Sequence, residues 1–181
     1  YPPPKGESKI IGLEVAGTII ELGKNVDSFE LGDRVAALVG GGGYAEFATA
    51  HWKHLIRIPD KMNFYEAACI SETYITSYLN LFRVAGLQDG KRVLVHGGGG
   101  GVGTAAIQLC RALVPNARLF STASAAKLQR VTELGADVVI NYKKQDFVEK
   151  IKSDTEGLGV NIILDHVGAS YFIPNLKALA V

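Results

Sequence analysis

The stretch Lys91-Arg92-Val93-Leu94-Val95-His96-Gly97-Gly98-Gly99-Gly100-Gly101-Val102-Gly103-Thr104-Ala105-Ala106-Ile107-Gln108-Leu109-Cys110-Arg111-Ala112-Leu113 decides the fold. Val93, Leu94 and Val95 form a β-rich apolar run, and Ala106, Leu109, Cys110 and Leu113 recur at helical spacing. A glycine turn lies between them and opens the helix. Such a turn makes a phosphate cradle. Glycines admit close approach of the backbone, and a helix N-terminus offers unpaired N–H groups and the positive end of its dipole. The spacing Gly98-x-Gly100-x-x-Gly103, with Gly101 and Val102 inside it, fits the dinucleotide fingerprint. A glycine run can match that pattern by accident, and a flexible linker is the plain alternative. The strand before the turn and the helix after it favour a cofactor turn.

Outward from this unit, strands and helices alternate. Arg118–Thr122 reads as a strand followed by a helix over about 125–134. Val138–Asn141 is followed by a helix near 147–152, and Val160–Asp165 by one from about Tyr171. This is the signature of a parallel sheet with helices on both faces. Toward the N-terminus the pattern is β-rich instead. Strands are expected at 18–23, after the turn at 30–33, at 44–50 and at 54–58, which suggests a small barrel. From about Asn63 helical spacing takes over, including a helix over 76–85. The expected fold is therefore α/β: a partial β-barrel over 1–74, then a partial doubly wound parallel sheet over 75–181. Four strands precede Val181, where a full dinucleotide fold has two halves of three, so a piece of a longer protein is expected.

Composition narrows the function. With 48% hydrophobic and 20% charged residues the chain reads as globular, and a net charge of +1 gives no case for nucleic acid or an anionic membrane. No apolar run approaches a membrane span. Cys69 and Cys110 lie in apolar helical patterns, suited to a core in a reduced, cytoplasmic setting. The four histidines, His51, His54, His96 and His166, lack partners at metal-ligand spacing, and no Gly-x-Ser-x-Gly elbow supports hydrolysis. His96 reads as a packed residue at a strand end.

The cofactor's identity is read beyond the second strand. A NAD-selective site places Asp or Glu about 20 residues past the glycine turn, on the ribose 2′-OH. Here that position reads Ser121-Thr122-Ala123-Ser124, without an acid. Ser124, Lys127 and Tyr142 suit the 2′-phosphate of NADP. The alternative is that Ser124 caps the next helix and Lys127 is merely exposed.

Several stretches together resemble the zinc-free quinone oxidoreductases of the medium-chain dehydrogenase/reductase superfamily, beside the zeta-crystallin type and nearest the tumour-suppressor-inducible quinone oxidoreductases. They are Tyr-Pro-Pro-Pro at 1–4, Gly-Leu-Glu-Val-Ala-Gly at 12–17, Gly-Asp-Arg-Val at 32–35, Gly-Gly-Tyr-Ala-Glu at 42–46, and Val-His-Gly with Gly-Val-Gly-Thr-Ala-Ala-Ile-Gln-Leu within 95–109. Asn141-Tyr142-Lys-Lys and Ile163-Leu-Asp-x-x-Gly168 extend the match. The resemblance implies a GroES-like domain and a Rossmann domain, with the active site in the cleft between them. Zinc alcohol dehydrogenases of the superfamily carry Gly-His-Glu where this chain has Gly12-Leu13-Glu14, so a metal-free site is implied. It further implies that Tyr1 lines the substrate cleft and that Thr76 approaches the nicotinamide. Ser124, Lys127 and Tyr142 would surround the 2′-phosphate, and Val167 would contact the cofactor. The implied activity is NADPH-dependent reduction of a quinone or conjugated carbonyl by a protein that dimerises through later strands absent here. An enoyl-thioester or 2-alkenal reductase is the close alternative, and a non-catalytic truncated NADPH-binding isoform is the alternative from another class.

Overall fold

Val93, Leu94 and Val95 are fully buried because the strand they form, Arg92–Val95, lies inside a parallel sheet. The computed structural model describes residues 5–180 and divides into two compact units, Tyr1–Ile75 and Thr76–Val181.

In the first unit β1 (Glu14–Thr18), β2 (Arg34–Leu38) and β3 (Leu55–Arg57) form an antiparallel sheet in that order. The Gly-Asp-Arg-Val motif explains its corner. Gly32 takes φ +93, in the left-handed region open to glycine. Asp33 accepts the Glu30 N–H at 2.9 Å and pairs with Arg57 at 2.7 Å. Those bonds hold its carboxyl below the usual range, the Glu30 N–H contributing most. Arg34 donates to the Pro59 and Asp60 carbonyls and stacks on Phe64, tying β2 to α1 (Phe64–Ala67). A reciprocal Asn63–Glu66 capping box starts that helix.

The expected strand at 18–23 instead runs Glu14–Thr18, and no strand forms at 44–50. Apolar alternation makes a strand only where a partner strand supplies the ladder. Here Gly42, Gly43 and Tyr44 donate to Ile10, Gly12 and Ile11 as a loop, and Tyr44 and Phe47 stay exposed. The core of this unit is small: Ala36, Ile58 and Ala67, with Ala16 and Met62 against them. Cys69 is exposed, contrary to the core placement expected of it. Its Sγ lies 3.4 Å from the Tyr65 carbonyl, one turn back.

Helix α2 (Ser71–Tyr78) starts earlier than expected and passes into a π-type segment, Leu79–Val84. The second unit then gives β4 (Arg92–Val95), α3 (Gly101–Leu113), β5 (Arg118–Ala123), α4 (Leu128–Glu133), β6 (Val138–Asn141), α5 (Phe147–Asp154), β7 (Ile162–Leu164) and α6 (Phe172–Ala178). All ladder pairs are parallel, in the order β6-β5-β4-β7. Alternating side chains divide between two faces. Val93, Val95 and Leu119 pack with Ala106 and Cys110 of α3, while Leu94, Phe120 and Ile140 pack with Phe147 and Ile151 of α5 and Ala178 of α6. Val160, expected within the last strand, instead bridges Leu179 just before β7.

Candidate cofactor site

Because the four strands run parallel, their C-terminal ends share one edge of the sheet. The chain moves outward from β4 to β5 and β6, then returns to β7 on the other side of β4. The crevice at that reversal is where open α/β sheets bind ligands. Every described residue expected at the cofactor except Thr76 follows one of these four strand ends.

The glycine turn is held open by specific neighbours. Gly97 turns the chain at φ +62, and a Cβ there would lie 2.7 Å from His166 Nε2. A Cβ on Gly98 would meet Ser121 Oγ, and one on Gly103 would strike the Gly97 carbonyl and Gly98 Cα. The last two are backbone atoms that cannot swing aside. Gly100 is the N-cap of α3, with no side chain to cover the helix end. The N–H groups of Gly101, Val102 and Gly103 have no carbonyl four residues back within the helix, so this bare end fits an anionic phosphate. A dinucleotide therefore fits the residues present: Gly98, Gly100, Gly101, Val102 and Gly103 would hold its pyrophosphate.

Around the turn, Lys127 is brought into contact by its own side chain, Nζ donating to the Gly99 carbonyl at 2.8 Å. Its ammonium thus stands beside the cradle, not loose on the helix surface. Ser124 occupies an N-cap position but makes no side-chain cap bond. Tyr142 follows β6 and is exposed. Val167 follows β7 and donates its N–H to Asp165 Oδ1 at 2.7 Å. Thr76 lies on α2, and its carbonyl accepts the Asn80 amide at 2.9 Å. Next to it, buried Ser77 donates to the Val102 carbonyl at 3.0 Å and anchors that helix to the first turn of α3. Tyr1 lies outside the described residues.

Three supports were not legible as site residues. Ser121 donates to the Val95 carbonyl at 2.9 Å, and Thr122 accepts the Gly97 N–H at 3.1 Å. Read linearly, both counted only as the absence of an acid. His96, read as packing, is fully buried yet bonded at both ring nitrogens. Its position directly before the glycine run was the available signal. Burial pushes its pKa down. Burial also raises the Tyr171 phenol, helped by Tyr142 and Asp165 nearby.

Two family models match. The alcohol dehydrogenase GroES-like domain covers residues 1–60, and the zinc-binding dehydrogenase domain covers residues 101–181. The chain belongs to the medium-chain dehydrogenase/reductase superfamily. Among superfamily relatives, the human synaptic vesicle membrane protein VAT-1 homolog is 42% identical over 88% of this chain and 40% of its own length. Human quinone oxidoreductase is 36% identical over 85% of the chain and 47% of its own length. The chain thus spans less than half of these curated relatives. The crystal structure of CurK enoyl reductase superposes with a TM-score of 0.88 at 34% identity, over 94% of this chain and 51% of that one. The native structure of mycobacterial Rv1454c complexed with NADPH superposes at 0.86 with 35% identity, over 95% and 54%. These matches establish a partial GroES-like unit followed by a Rossmann-type sheet, in a superfamily of nucleotide-dependent oxidoreductases. Among the described residues no three His, Cys, Asp or Glu side chains gather as a metal site, and no helix is long and apolar enough to cross a membrane.

Proposed function

We propose that the protein to which this chain belongs reduces a quinone or similar conjugated carbonyl with NADPH, without zinc. One observation carries the cofactor choice: the Lys127 ammonium is held at the glycine turn, and β5 ends without a carboxylate. An acid there would bind the ribose diol of NADH and repel a 2′-phosphate, whereas an ammonium attracts one. The mycobacterial relative bound to NADPH supports the same choice. The bound cofactor would supply the hydride.

The chain's own residues bind and orient. The α3 N-terminus and the glycines would fix the pyrophosphate, Ser124, Lys127 and Tyr142 would read the 2′-phosphate, and Val167 and Thr76 would border the nicotinamide half. A quinone is a strong acceptor and needs less electrophilic help than a simple ketone. With one proton taken from solvent, the transferred hydride completes the hydroquinone. Leu13 in place of a metal-ligating histidine supports the zinc-free reading. The proposed setting is the cytoplasm, and the complete protein is proposed to be a homodimer.

Titration of the chain with NADPH and NADH tests the cofactor. NADPH should bind tightly and NADH weakly. Lys127→Ala should weaken NADPH by about 10- to 100-fold, as for a lost charge-assisted bond, while NADH changes little. Equal loss for both cofactors would overturn the 2′-phosphate role. The structural likeness to CurK enoyl reductase favours one second reading, reduction of an enoyl thioester. Turnover of a quinone against an enoyl thioester by the complete protein separates the two.

A further inference from the structure

His96 is fully buried at the end of β4, and its backbone N–H donates to the Leu164 carbonyl of β7 at 3.1 Å. Its ring sits edge-on to Phe147 and Tyr171. Nδ1 lies 3.0 Å from Thr122 Oγ1, and Nε2 lies 2.8 Å from Asn175 Oδ1. Asn175 Nδ2 in turn donates to Asp165 Oδ2 at 2.9 Å. The other Asp165 oxygen accepts the N–H groups of Val167 and Gly168, at 2.7 and 3.1 Å.

The direction of every bond in this chain follows from one fixed group. An ionised carboxylate only accepts, so the Asn175 amide must turn its NH₂ to Asp165 and its oxygen to the imidazole. His96 Nε2 then carries the proton, and Nδ1 is left as an acceptor. The Thr122 hydroxyl donates to Nδ1, which leaves its oxygen to accept the Gly97 N–H at 3.1 Å. The reverse tautomer would aim the Asn175 oxygen at the Asp165 carboxylate. The two ends of the relay are the glycine turn after β4 and the loop 165–168 after β7, the two strand ends that flank the reversal of the sheet.

We propose that His96 is a positioning residue: held as the Nε2–H tautomer, it couples the Gly97 turn to the Asp165–Gly168 loop, so that dinucleotide affinity depends on a side chain buried away from the cofactor. The cofactor part of this inference rests on the dinucleotide reading above. The hydrogen-bond relay does not. Besides Asp165, acting through Asn175, the titratable groups facing the imidazole are His166 and the Tyr171 phenol. Burial keeps the ring neutral, as the relay requires.

Two sets of measurements test it on the 181-residue chain. In ¹⁵N-histidine NMR, His96 should show a protonated Nε2 and a bare Nδ1 at neutral pH, and should stay neutral below the range where an exposed histidine titrates. An Nδ1–H tautomer, or ordinary titration near 6.5, would overturn the relay. In amide exchange, Asn175→Leu, altered at the α6 end, should speed exchange at Gly97 as well as at Val167 and Gly168. Faster exchange at the latter two alone would mean that Asn175 only packs α6, and the coupling would fail. Thr122→Val should weaken NADPH about tenfold, as for one buried bond left unmade, whereas Thr122→Ser, which keeps the hydroxyl, should stay near wild type. Equal affinity in both variants would overturn the role in binding. If the unaltered chain bound no dinucleotide while the NMR and exchange results held, the cofactor reading would fall and the relay would stand.

Discussion

The two cysteines carry the same side chain in different surroundings. Cys110 is fully buried against Val95 and Ala106, and burial pushes its thiol up to about 11. Only the thiolate is a good nucleophile, so an aromatic disulfide reagent at pH 8 should label Cys69 in the folded chain and Cys110 only after denaturant is added. Counting labelled sulfurs by mass checks this. His96 gives a pH prediction. Its folded pKa is lowered, so the unfolded chain takes up that proton first, near 6.5. The stability held by the neutral ring is therefore whole above about pH 6.5 and is lost as pH falls from there toward the folded value. Urea midpoints should drop between pH 7.5 and 5.5, and His96→Gln should flatten that slope. A slope unchanged by the substitution would count against a buried neutral imidazole.

At the scale of the element, glycine positions and caps determine what each segment can do. Gly103 touches the backbone of Gly97 and Gly98, so helix α3 and the turn are in contact without side chains between them. Gly103→Ala should push them apart and abolish measurable NADPH binding while the far-UV circular dichroism persists. Leu94 is fully buried in a cluster with Phe120, Ile140 and the α5–α6 layer, so Leu94→Ala should leave a cavity and cost about 2–5 kcal/mol in urea unfolding. Asp146, whose carboxylate accepts the Val148 and Glu149 N–H groups at the start of α5, should cost only about 1 kcal/mol on change to Ala. The helix elements of the second unit were legible because three or four apolar residues recur at helical spacing. The expected strand at 44–50 failed because alternation says nothing about whether a partner lies alongside.

For the whole molecule, each unit has its own hydrophobic clusters among the described residues. The first unit's cluster lies within residues 16–67, and the other three lie within 81–178. The first is also the smallest. Urea should therefore give two transitions, the earlier one reported by Trp52, the chain's single tryptophan, and the later one by circular dichroism from the α/β unit. One shared transition would mean that the units stabilise each other.

What the sequence determined by itself was local and periodic: the strand–turn–helix around Gly97–Gly103, the alternation that makes a parallel sheet, and the missing acid after β5. These are legible because they depend on residue type at fixed short spacing. Only the tertiary structure decided which side chains support the turn. Ser121 and Thr122 reach it from the neighbouring strand, Lys127 from the helix after it, and Asn175 through His96 from 79 residues away. Such contacts are created by the order in which strands lie side by side, and spacing along the chain does not encode that order.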